Sequence, residues 1–236
     1  MIKQKLFFMF IFTIILTNLQ AQDVVNQYDE EGRRHGMWSK NYYETNQKRY
    51  EGLFNHGKEV DTFKYYKLSN GKSVLSAIKV FNAKDSLADI TFFASNKKVI
   101  SKGSMKGKSY IGQWIYFHKN SELPMIIEHF NTEGQLDGEK KTLYKNGQVA
   151  ELVHYKNGKL NGEALWYTEN NQLLKKAEYK DGLLNGLTIN YDASGNITST
   201  GPYLEDRKAG IWKYYEAGEL KKEIDHTNQI IIKKYK

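Results

Sequence analysis

Cysteine is absent from the 236 residues, and proline occurs only twice. Without thiols, neither disulfides nor thiolate metal sites can hold the fold, so apolar packing must do it. With so little proline, almost every residue keeps a backbone N–H for pairing. Helix is also disfavoured, because no window of a dozen residues keeps an i, i+3, i+4 apolar stripe free of glycine. Lysine and arginine form no block; charges alternate in sign along the chain, which argues against a nucleic-acid footprint and for solvated faces. The longest apolar run, Leu6 to Leu16, is about half of the roughly 20 residues needed to cross a bilayer.

That run follows Lys3 and Lys5 and leads to a small-residue stretch ending at Ala21. The order of charge, hydrophobe and cleavage site is that of a secretory signal peptide, with cleavage expected between Ala21 and Gln22. The mature chain would then be periplasmic or extracellular. It would carry 33 basic and 27 acidic residues, since residues 1–21 hold two lysines and no acids.

Abundant here are 17 Tyr, 11 Phe, 4 Trp and 19 Gly. Aromatics favour half-buried strands and glycines supply tight turns, so the mixture predicts many short hairpins. A pattern returns about every 24 residues, anchored at Gly36, Asp61, Ala88, Gly112, Gly138, Gly162, Gly186 and Gly210. Each unit opens on its anchor, places an aromatic pair, turns, runs a second strand to another aromatic and turns again. The pairs are Tyr42-Tyr43, Tyr65-Tyr66, Phe92-Phe93, Tyr116-Phe117, Trp166-Tyr167 and Tyr214-Tyr215, with Leu143-Tyr144 and Asn190-Tyr191 as half-matches. Alternation places Trp212 and Tyr214 on one face, Ile211 and Tyr215 on the other. Asn146-Gly147, Asn157-Gly158, Asp181-Gly182 and Ser194-Gly195 supply the turns. So steady a period predicts stacked units, each too weak to persist singly. The expected fold is all-β, an elongated single sheet of about eight hairpins, roughly 75 Å long at ~4.8 Å per strand.

The pattern G-x-W-x-x-Y-Y, a return strand and then Y-x-x-G-K-x-x-G resembles the MORN-repeat variant of bacteria, which includes proteins named as YwqK-family antitoxins. The matching stretches are Gly36 to Gly57, Gly112 to Gly134 and Gly138 to Ile224. Departures are Asp61 and Ala88 in place of the opening glycine, and Pro124 and Pro202 in return strands, where an edge or bulge is implied. Residues 22–35 read as an N-terminal cap, 36–228 as the array and 229–236 as a capping strand, with lysines guarding its edge.

Motifs that carry chemistry dissolve on inspection. Gly103 to Ser109 looks like a phosphate-binding loop, but three residues separate its glycines where four are needed, and it reads as a hairpin turn. Asp192, Ser194 and Asn196 alternate like a calcium loop, yet Tyr203 stands at the twelfth position where a glutamate is required. The six histidines, His35, His56, His118, His129, His154 and His226, show no metal-ligand spacing, and there is no nucleophile elbow or carboxylate dyad. No catalytic residue, cofactor or metal is expected. The second aromatics of the pairs, Tyr43, Tyr66, Phe93, Phe117, Tyr167, Tyr191 and Tyr215, form the candidate partner-binding face, because a single-layer sheet cannot bury both of its sides. The expected function is that of an exported, non-catalytic repeat scaffold that binds another protein in the bacterial envelope. Alternatives are immunity or antitoxin-like neutralisation of a toxic partner, suggested by the resemblance, and binding of anionic lipid or cell-wall polymer.

Overall fold

A computed structural model of the chain describes residues 25–82 and 85–235; the expected signal peptide and its cleavage site lie outside them. There is no helix among the described residues, and twenty strands form one sheet. In chain order they are β1 (Gln27–Tyr28), β2 (Arg34–Asn41), β3 (Lys48–Asn55), β4 (Lys58–Ser69), β5 (Lys72–Phe81), β6 (Leu87–Phe93) and β7 (Val99–Lys106). Next come β8 (Ser109–Phe117), β9 (Pro124–Phe130), β10 (Gly138–Leu143), β11 (Val149–Lys156), β12 (Lys159–Tyr167) and β13 (Leu173–Lys180). The last are β14 (Leu183–Leu184), β15 (Gly186–Tyr191), β16 (Ile197–Leu204), β17 (Arg207–Lys208), β18 (Ile211–Glu216), β19 (Glu219–Asp225) and β20 (Ile230–Lys234). Each strand pairs antiparallel with the next; β14 and β15 share one layer against β13, as β17 and β18 do against β16. Eighteen layers at ~4.8 Å make the sheet about 80 Å long.

One border carries two-residue turns alongside longer connections, as between β5 and β6 and between β9 and β10. His56-Gly57, Asn157-Gly158 and Asp181-Gly182 have positive φ at both residues, as a type I′ hairpin requires. Gly107-Lys108, inside the stretch that resembles a phosphate-binding loop, is also a two-residue connection, with positive φ at Gly107 alone, joining Lys106 of β7 to its partner Ser109 of β8. The other border carries longer loops, apart from the two-residue turns Asn70-Gly71 between β4 and β5 and Ala217-Gly218 between β18 and β19. In one of them the Asp192 carboxylate accepts N–H groups from Ser194 and Asn196. The backbone bond from Asn196 leads the interactions that hold the Asp192 carboxyl below its usual range. The calcium-like alternation is thus a turn.

The opening glycines kink their strands. Gly138, Gly162 and Gly186 have φ of +106°, +109° and +125°, a region open almost only to glycine. Asp61 takes the kink at +58°, within the left-handed region that aspartate tolerates. Ala88 does not take it: β6 runs through this position with unbroken register to β5. The third unit therefore loses its kink along with its glycine. Pro202 lies beside the kink at Gly210, whose added Cβ would meet the proline ring at 3.4 Å.

Bonds between equivalent positions of successive units fix the 24-residue beat. Along the two-residue-turn border, Gly57, Gly158, Gly182 and Asp206 donate their N–H to the carbonyls of Arg34, Leu136, Leu160 and Leu184. Across the loop border, Tyr42 and Tyr144 donate their hydroxyls to the carbonyls of Tyr66 and Tyr167, both at 2.8 Å. The His118 ring N–H does the same to Leu143 at 3.1 Å.

Among the described residues, every fully buried side chain lies on one side of the sheet, called here the packed face. Trp38, Phe63, Ile90, Trp114, Val153, Ala164, Ala177, Thr188 and Trp212 follow its midline. Large rings lie over glycines of the preceding strand: Phe63 over Gly52, Trp114 over Gly103 and Trp212 over Gly201. The larger member and its glycine are eleven residues apart in all three pairs, and where Val153 replaces the glycine, its partner eleven residues on is Ala164. The midline is filled by such size-matched pairs. Each of these indoles also donates its Nε1–H to a carbonyl of the preceding strand, Trp114 to Ser104 at 2.9 Å and Trp212 to Pro202 at 2.8 Å. At the N-terminal end Trp38 does the same to Gln27, with the Tyr28 ring edge-on at 5.1 Å. A polar break in this row is Glu128 with Lys140, 3.0 Å apart between Trp114 and Val153. Burial disfavours the Lys140 ammonium, but the Glu128 carboxylate outweighs it and raises its pKa.

Candidate binding face

The opposite, open face is assembled from register. Six of the eight pairs straddle a β-bulge, which falls between Tyr65 and Tyr66, Phe92 and Phe93, Tyr116 and Phe117, Trp166 and Tyr167, Asn190 and Tyr191, and Tyr214 and Tyr215. The second residue of each of these pairs lies on the open face. Tyr66, Phe93, Phe117, Tyr167, Tyr191 and Tyr215 thus form one row, facing Leu75, Val99, Pro124, Leu173, Ile197 and Leu220 across the hairpins. They are half-buried by these neighbours.

Tyr43 is not brought into the row. In the first unit the bulge falls between Lys40 and Asn41, two positions earlier than the aromatic pair suggests. Tyr43 therefore sits in the loop, 88% exposed. A similar offset in the fifth unit gives the row Leu143, opposite Val149, and leaves Tyr144 in the loop to bond the next unit. Of the tryptophans, Trp38, Trp114 and Trp212 are buried in the packed face; Trp166 is half-buried one row to the side, donating its Nε1–H to Glu151 at 2.8 Å.

Polar contacts orient two members of the row. Tyr66 donates its hydroxyl to Glu51 at 2.6 Å, and burial, reinforced by that carboxylate, pushes the phenol up to about 12. The Lys48 ammonium, and then Tyr66, hold the Glu51 carboxyl below its usual range. Phe117 has the Lys102 ammonium 5.7 Å from its ring centre.

A second row, two residues upstream on each forward strand, was not legible in the sequence. It runs from strand to strand as Lys64, Ile78, Thr91, Lys102, Ile115, Ile127, Lys141, Leu152, Leu165, Lys176, Ile189, Thr200 and Lys213, each the direct cross-strand partner of the next. Lysine recurs every third layer, about 14 Å apart, with two apolar or hydroxyl side chains between. The hairpin repeat has a period of two layers, so this three-layer period is hidden in any alignment of units. Four of the lysines have a carboxylate on the same face. Lys141 meets Glu139 at 2.7 Å, Lys213 meets Glu223 at 3.8 Å, Lys64 meets Glu51 at 3.9 Å, and Lys176 pairs with Glu163.

The histidines serve the fold. His129 and His154 donate Nδ1–H to the carbonyls of Glu139 and Glu163, both at 2.8 Å and each one residue past an opening glycine. Among the described residues, no group of three His, Cys, Asp or Glu side chains could hold a metal ion.

The face is thus a long apolar and aromatic surface studded with lysines, four of the five compensated by carboxylates. It offers area and shape, with no convergent acid, base or nucleophile among the described residues. No curated protein matches the chain. Among solved structures, a crystal structure of an S. aureus TarM mutant in complex with fondaparinux, alpha-GlcNAc-glycerol and UDP aligns over 58% of this chain at 12% identity and a TM-score of 0.20. The aligned part spans 21% of that protein's length, and a likeness at that level carries no argument. Residues 136–157 and 160–181, two consecutive units running through β10 to β13, match the MORN repeat variant, a generally non-catalytic repeat.

Proposed function

We propose that the protein is an exported, non-catalytic scaffold that holds another protein in the bacterial envelope, on the open face of its sheet. The observation that carries this is the asymmetry of burial. One face covers its own tryptophans, while the other displays a continuous band of aromatic and aliphatic side chains that nothing among the described residues covers. Apolar bands of that extent mark interaction sites, and stacked repeats provide the extended, rigid surface that protein recognition uses. The compensated lysines weaken the alternative of anionic lipid, since four of the five in the row already face carboxylates.

Photo-crosslinking in the native host tests the reading. A photoreactive residue at Ile115 or Leu165 on the open face is expected to give a discrete protein adduct, whereas one at Tyr43 in the loop is not. Adducts of equal yield from all three positions, or none from any, would refute it.

A further inference from the structure

Lys102 differs from its four counterparts in the lysine row. The others face carboxylates of their own chain; Lys102 makes no ion pair among the described residues, and its ammonium leans over Phe117. Its direct cross-strand neighbours are Thr91 and Ile115. It borders a depression of about 300 Å³ on the open face, lined also by Asp89, Ser104 and Gln113. Asp89, the carboxylate in this depression, accepts the Ser104 hydroxyl at 2.6 Å and forms no ion pair with Lys102. The hollow is therefore lined by a lysine, an amide and a carboxylate that already holds the Ser104 hydroxyl, with Phe93 and Phe117 of the aromatic row beside it.

We infer that this depression takes a carboxylate side chain from the partner protein, completing at Lys102 the pair that Glu51, Glu139, Glu163 and Glu223 complete at the other lysines, while apolar residues flanking that acid lie along Phe93 and Phe117. The inference rests on the reading of the array as a protein-binding scaffold. Its ligand chemistry is an acidic residue within an extended aliphatic segment. The four other lysines set the precedent, since each pairs with a glutamate carboxylate. An unpaired lysine over an aromatic ring keeps its charge available, and the surrounding apolar rows reduce the water that would screen a new pair.

The test needs no knowledge of the partner. A blocked peptide of alternating glutamate and valine is titrated into the isotope-labelled chain, with the glutamine–valine counterpart and inorganic phosphate as separate arms. Only the acidic peptide is expected to shift the backbone signals of Thr91, Lys102, Ser104 and Gln113. Lys102→Ala should weaken binding on the order of threefold, as for an exposed ion pair, while Lys141→Ala leaves it unchanged. Lys102→Glu should abolish binding of the acidic peptide and create binding of a lysine–valine peptide. The idea fails if the acidic peptide shifts nothing, shifts all five lysine strands alike or still binds Lys102→Glu. It fails equally if phosphate reproduces the shifts, which would mark a general anion contact. A partner crosslinked at Leu165 with no role for Lys102 would defeat this inference and leave the scaffold reading standing.

Discussion

The size-matched pairs of the packed face make Gly103→Ala a sharp perturbation. Gly103 does not need glycine for its backbone, since its φ is outside the positive region; what excludes a side chain is Trp114. A β-carbon there would stand 2.5 Å from the indole, over an angstrom inside ordinary contact. The ring must slide away, straining a side chain that is 0% exposed, at a cost of about 1–3 kcal/mol for overpacking. Its Nε1–H bond to Ser104, 2.9 Å long, is then lost or stretched, for about 1 kcal/mol more. Urea unfolding should accordingly show a loss of about 2–4 kcal/mol. Adding Trp114→Ala to Gly103→Val recreates the Val153 and Ala164 pairing found between the chain's own fifth and sixth units, so the double variant should lose less than the sum of the two single ones. A neutral Gly103→Ala, or strict additivity in that cycle, would refute the claim that ring and glycine are chosen together.

Three further outcomes follow from the same geometry. Gly162→Ala, at φ +109°, should destabilise by about 1–3 kcal/mol in thermal melts, whereas Asp61→Gly, at φ +58°, should be neutral or slightly stabilising, because it relieves a left-handed residue. Tyr144→Phe removes a bond to the Tyr167 carbonyl and should cost about 1 kcal/mol, read as faster amide exchange in β12 and β13. Tyr66 and Tyr116 are both pushed up to about 12, by burial and then by Glu51 and Glu128. Because their folded values lie above the unfolded value near 10, the stability they contribute is complete below pH 10 and is lost as pH rises towards 12. Alkaline unfolding followed by tyrosinate absorbance should show this, with the Tyr66 share missing in Tyr66→Phe.

The hairpin architecture was legible because turn chemistry and period are local: Asn157-Gly158 announces a hairpin turn and Gly162 the start of the next unit without reference to anything distant. The candidate face was legible only in part. Tyr66, Phe93, Phe117, Tyr167, Tyr191 and Tyr215 fall into one row as alternation predicts, but Tyr43 does not. Where a bulge falls depends on hydrogen bonding between strands, and two adjacent tyrosines do not reveal it. The lysine row was hidden for a related reason. Its members are neighbours only across strands, and its period of three layers does not divide the two-strand unit. The eleven-residue spacing of glycine and ring was present in the sequence throughout, at Gly52 and Phe63, Gly103 and Trp114, Gly201 and Trp212, and could have identified the packed face.

Because each strand touches chiefly the ones immediately before and after it, the molecule behaves as a ruler whose marks are independent. Deleting or duplicating one whole segment would change the reach of the surface by about 10 Å and would re-pair side chains only at the new junction. Length is therefore a property that mutation can adjust in steps, without redesigning what lies on either side.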